Sequence, residues 1–168
     1  MDFGISGLSM EHGDIGLLAK RIEELGFDSI WFPEHPVIPV RYKSKWGGSP
    51  DGSVPDFMAH LINPFIALAY ASATTKTLKL GTGVCLVTEH NPLDLAKQIS
   101  TLDSISGGRF LFGIGTGWFR EESEIMGADF DHRWTQAKEY VLAMKELWTM
   151  DQAEFHGHYV DFPAVRCN

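Results

Sequence analysis

Residues 91–118 read NPLDLAKQISTLDSISGGRFLFGIGTGW, and the fold turns on this stretch. Asn91 is a strong helix N-cap and Pro92 suits the first helical position, so the spacing predicts a helix over 92–106. The pair Gly107-Gly108 stops that helix, and the apolar run after it predicts a buried strand over 109–114. The same unit recurs upstream. Apolar residues at spacings of three and four predict a helix over 15–25, stopped by Gly26 and followed by a strand over 29–32. Asn63-Pro64 opens a helix to about residue 74, and a strand over 78–84 follows. With an opening strand over 3–6 and a last helix over about 132–150, strand and helix alternate four times. Connectivity then requires a parallel sheet with right-handed crossovers. Two architectures satisfy this, the open doubly wound sheet and the closed (β/α)8 barrel. A complete barrel takes roughly 250 residues, so four units correspond to about half of one, an incomplete barrel.

The composition limits the function classes. The chain has 168 residues, of which 44% are hydrophobic, enough for a core in a single α/β domain over 1–168. A net charge of −8 argues against nucleic acid as a partner, because that binding depends on cationic patches. No apolar run approaches a membrane span, and the N-terminus shows no basic segment followed by an apolar one. Cys85 and Cys167 stand far apart in no metal spacing, which fits a reducing, cytoplasmic setting and gives neither the look of a nucleophile. His156 and His158 form an H-x-H pair without a third partner, so no metal site is assigned.

Ligands of parallel α/β folds lie at the carboxyl ends of the strands. The residues there are PEHP at 33–36, GTGVC at 81–85 and GIGTGW at 113–118. His35, held between Pro33 and Pro36, is either a proton donor and acceptor or a loop histidine in a local hydrogen bond. The glycines at 113–117 lack the G-x-G-x-x-G spacing and follow the fourth strand, so a dinucleotide fingerprint is not assigned. They allow the backbone to approach a flat ligand or its phosphate, with Thr116 adding a hydroxyl, or they serve a tight turn. Gly81 and Gly83 within the third strand mark a bulge or a close approach. Trp118 is read as a wall of the site. The long loop over 37–57, with Arg41, Lys43 and Lys45, is either a surface excursion or a lid whose cations meet an anionic ligand tail. The tail at 154–162 alternates around Gly157, the pattern of a small hairpin.

EELGFDSIWFPEH at 23–35, LKLGTGV at 78–84, NPLDLAKQ at 91–98, SGGRFLFGIGTGWFREE at 106–122 and LWTMDQAEFHG at 147–157 occur in one order. In that order they resemble the luciferase-like monooxygenase superfamily, and within it the coenzyme F420-dependent oxidoreductases. The resemblance covers about residues 2–163. It implies an N-terminal half of a (β/α)8 TIM-type barrel, a flavin or deazaflavin at the strand ends, and usually a homodimer. It implies hydride transfer between F420 and a small-molecule substrate, with His35 beside the ring as the catalytic proton donor or acceptor. It further implies a cis peptide at Gly83-Val84 that buttresses the ring, and backbone contacts to the cofactor from Thr116 and Gly117. Trp118 stands where some F420-dependent sugar dehydrogenases carry a catalytic glutamate, so their substrate does not carry over. FMN with a monooxygenase reaction is the alternative, and a half-barrel without activity of its own is a third. Strands at the open edges of a half-barrel predict self-association.

Overall fold

The computed structural model describes residues 1–7 and 13–167. Residues 8–12, part of the N-terminal segment read above for a leader, and Asn168 lie outside the described residues. The main sheet contains β1 (Gly4–Ser6), β2 (Ser29–Phe32), β3 (Lys79–Thr82) and β5 (Phe110–Leu111). All pairings are parallel and the spatial order is β1-β2-β3-β5. A sheet whose neighbours in space are its neighbours in the chain is a barrel wall. A doubly wound sheet would reverse its order at a switch point. The described strands form an open wall and not a closed barrel.

The helices are α1 (Ile15–Glu24), α2 (Pro64–Thr74), α3 (Pro92–Ser106), α4 (Arg120–Ile125) and α5 (Arg133–Thr149). Their ends follow local chemistry. Asp14, Asn63 and Asn91 each accept a backbone N–H from the first turn of their helix, and Gly107 ends α3 in the left-handed region at φ 69°. Ile30, Phe32 and Leu80 point from the sheet toward this helix layer, where they pack with Ala19, Leu68, Ala71 and Leu95. Arg109 fastens the layer from below. Its guanidinium donates to the carbonyls of Ser72, Thr75 and Leu78 and to the Thr75 hydroxyl, satisfying the end of α2 and the start of β3. None of the described helices is long and apolar enough to cross a membrane.

The opposite face of the sheet is built around Trp31. Its indole N–H donates to Ser29 Oγ at 2.8 Å, and its ring lies over Gly4 and Gly81. A Cβ on Gly81 would sit 2.2 Å from Trp31 Cε3, so the glycine is needed for the indole to lie flat across the strand.

The third and fourth strands are shorter than the sequence suggests, and each is broken. After β3 the chain turns through a cis Gly83-Val84 peptide and resumes as β4 (Cys85–Leu86). After β5 it resumes as β6 (Ile114–Gly115), which pairs with β4. The Gly113 carbonyl accepts both Thr82 Oγ1 and Cys85 N–H at 2.8 Å, knitting the two breaks together. A Cβ on Gly113 would meet the Thr82 carbonyl at 2.2 Å, so the junction requires glycine. Beyond α5, β7 (Ala153–His156) and β8 (Asp161–Val165) pair antiparallel. A cavity of about 750 Å³ lies between α3 and α5 on the helix layer, where Phe110 and Phe112 line its sheet side.

Candidate functional site

The sequence positions named above meet at the carboxyl ends of the strands. His35 leaves the end of β2, and its Nδ1 lies 2.6 Å from Oε2 of Glu122 on α4. Glu122 is fully buried, and its other oxygen accepts the Val37 N–H at 3.4 Å. With the carboxylate accepting at Nδ1, the imidazole proton sits there and Nε2 is left to take up or return a proton. The Trp118 indole stands edge-on to His35 at 6.0 Å and stacks on Phe119 at 4.9 Å, so it restrains the imidazole from one side. A cavity of about 450 Å³ opens beside His35 and is bounded also by Glu34, Pro36, Ile62, His90 and Met126.

The Gly83-Val84 bend forms the other part of the mouth. Val84 and Leu111 are partly exposed, and Val84 lies against Gly115, giving a small apolar shelf beside the bend. A Cβ on Gly83 would meet only Trp31, at 3.5 Å, so the backbone at the bend is open on its other side. Thr116 is buried, and Gly117 at φ 72° turns the chain from β6 into α4. A Cβ on Gly117 would lie 3.2 Å from Glu89 Oε1 and 3.3 Å from Ser123 Oγ, so the turn is packed directly over two polar groups.

Two further glutamates lie beneath this surface. Burial pushes the Glu34 carboxyl up, but the hydrogen bond and charge of His90, with the Leu86 N–H at 2.8 Å, outweigh it and hold the group below the usual carboxylate range. Glu89 is the reverse case. Burial dominates, the negative charges of Glu122 and Glu34 add to it, and only the Ser123 hydroxyl and His35 oppose it, so its midpoint rises to about 7. Burial, with Glu34 and Glu89 nearby, also pushes the Cys85 thiol up, which makes it a poor nucleophile. Glu34, Cys85 and His90 bring potential ligand atoms within 4.8 Å of one another. His90 Nε2 is already engaged by Glu34 and the thiol keeps its proton, so these three are not read as metal ligands.

The loop over 37–57 is tied down by α4 rather than by its own cations. The Glu121 carboxylate accepts the backbone N–H groups of Lys43 and Ser44 and the Ser44 hydroxyl. Tyr42 stands edge-on to Phe119 at 5.2 Å. Arg41, Lys43 and Lys45 are exposed. Sequence reasoning did not assign Glu122, Glu89 or His90. The signals available were the acidic pair in the GWFREE motif and the TEH tripeptide that follows β4.

An α/β barrel wall thus carries a histidine–carboxylate pair and a glycine-formed bend at its strand ends, the end of such folds where ligands bind. The family model described as luciferase-like monooxygenase matches residues 6–167, and the chain belongs to that family. An uncharacterised protein of Mycobacterium tuberculosis is 38% identical over 165 residues, covering 96% of this chain and 58% of that protein. An F420-dependent glucose-6-phosphate dehydrogenase of Amycolatopsis mediterranei is 30% identical over 152 residues, covering 88% of this chain and 41% of the enzyme. Among solved structures, the monooxygenase RslO1 from Streptomyces bottropensis superposes with a TM-score of 0.79 at 25% identity, covering 99% of this chain and 48% of that one. The chain thus spans about half the length of the proteins it matches.

Proposed function

We propose that this chain carries the proton-handling half of a flavin-type oxidoreductase site, with a hydride passing between coenzyme F420 and a small organic substrate. The observation that carries the reading is the His35–Glu122 pair, set in a turn between two prolines and next to an apolar shelf that suits a planar ring. The shelf fits such a ring because Val84 and Leu111 supply apolar contact while Gly83 leaves the backbone bare. Val84, Thr116, Gly117 and Trp118 would hold the ring and its ribityl end. Bound there, a deazaflavin supplies the hydride chemistry.

The remaining work falls to the chain's own residues. Glu122 fixes the imidazole tautomer, so that His35 Nε2 faces the reaction as a single proton donor or acceptor. Trp118 and Phe119 limit water at the imidazole, which strengthens the His35–Glu122 interaction in its low-dielectric surroundings. The partners in this reading are a small-molecule substrate and a second copy of the chain, in the cytoplasm. FMN with a monooxygenase reaction is the second reading, favoured by the likeness to RslO1.

The test uses His35→Ala in the complete protein. Turnover falls by roughly 10²- to 10⁴-fold, the range of a lost general acid or base, while cofactor affinity changes little. Unchanged turnover removes His35 from the mechanism.

A further inference from the structure

Glu89 belongs to none of the roles above, yet its position is demanding. It is 3% exposed, in the short turn Val87–Glu89 that follows β4. Its Oε1 accepts the Ser123 hydroxyl at 2.7 Å, while its Oε2 is buried with no partner among the described residues. A buried ionised carboxylate with an empty oxygen is costly, whereas a carboxylic acid in the same place needs far less. Ser123 is the residue after Glu122 on α4, so Glu89 is joined to the element that holds His35.

The charges facing Glu89 are few and can be named. Glu122 comes from α4, Glu34 and His35 from the turn after β2, and Cys85 from β4. The buried faces of α3 and α5, which pack on the same turn, carry no charge: Leu95, Ala96 and Ile99 on α3, and Gln136, Ala137 and Met144 on α5. Glu89 therefore senses the His35–Glu122 pair, and the pair senses Glu89, with the neighbouring Glu34–His90 pair as the other ionic group beside them.

We propose that Glu89 is a positioning residue of the His35–Glu122 unit, a buried carboxyl tied through Ser123 to the helix that holds the pair, whose charge state bears on the imidazole. This rests on the reading of His35 as the proton donor or acceptor. With Glu89 protonated, the pair faces one buried negative charge fewer. Loss of that proton as pH rises places an added negative charge near the imidazole and favours its protonated form. No bond is made or broken by Glu89, and it does not touch the reacting atoms.

The experiment is a pH titration of the chain carrying ¹³C-carboxyl glutamate and ¹⁵N histidine, followed by NMR, without cofactor or substrate. One glutamate carboxyl signal should titrate with a midpoint of about 7, and the His35 ring signals should inflect at the same pH. In Glu89→Gln, which keeps an oxygen for Ser123, both the carboxyl step and the shared inflection disappear. In Ser123→Ala the step moves to higher pH, because the bond that favours the ionised form is gone. The Ser123→Ala result carries the test by itself if Glu89→Gln does not fold. A neutral-range carboxyl step that survives Glu89→Gln, or His35 signals that do not register the Glu89 step, overturns the proposal. Because no ligand is added, failure to bind F420 or FMN would refute the proposed function and leave this titration to be judged on its own.

Discussion

Glu89→Gln has a second consequence, in stability, whose sign and size follow from burial. An acid whose midpoint is raised on folding stabilises the fold fully below its unfolded midpoint and withdraws that contribution as pH rises through the folded one. For Glu89 the midpoint moves from 4.5 to about 7. At the slope of 1.36 kcal/mol per pH unit, the native state loses about 3 kcal/mol across that window. Glutamine has no proton to lose, so the variant escapes the loss. The assay is equilibrium urea unfolding of both proteins at about pH 5 and about pH 8. Comparing the two proteins cancels the titrating groups that do not face Glu89. Among these, Glu23 and Glu121 have midpoints near 2, so they act on the acid side of the window. The wild type should lose about 2.5 kcal/mol more than the variant between the two pH values, because part of the loss already falls below pH 5, with the denaturant slope unchanged. Parallel pH dependences in the two proteins would refute the placement of Glu89 as a buried acid.

Two further outcomes follow from the fold. Arg109→Ala leaves the carbonyls of Ser72, Thr75 and Leu78 without their donor and should cost about 3 kcal/mol in denaturant unfolding, because charged hydrogen bonds at partly buried sites are the strong ones; a loss below about 1 kcal/mol would show that water replaces the guanidinium. The chain should also self-associate in sedimentation velocity, since β1 lies at an outer edge of the sheet and Ile114, Trp134 and Leu142 are exposed along the flank of β6 and α5; a monodisperse monomer counts against it.

Much of the fold was legible because its boundaries are written locally. The starts of α2 and α3 and the end of α3 follow from Asn63-Pro64, Asn91-Pro92 and Gly107, whose chemistry acts within a few residues. The breaks in the third and fourth strands were not legible, since they arise where Gly113 meets the Thr82 carbonyl across the sheet. Sequence order distinguishes a barrel wall from a doubly wound sheet only when the pairing of strands is known. At the site, His35 stood out by its flanking prolines, and the resemblance supplied Gly83, Val84, Thr116 and Gly117. Glu122 was missed because its partner lies 87 residues away and because α4 is six residues long with no side-chain cap to announce it. Glu34 and Glu89 read as ordinary acidic residues; both are buried, and only their partners separate them into a group held low by His90 and one raised to about 7 beside Ser123.

The most direct measurement is a fluorescence titration of the chain with F420 and, in parallel, with FMN, at a protein concentration where the oligomeric state is known. Saturable binding of F420, weaker binding of FMN, and loss of both on changing Val84 to a charged residue are what the site described here predicts. Binding of neither cofactor by the folded chain would contradict the claim that these strand ends suffice to form a flavin-type site.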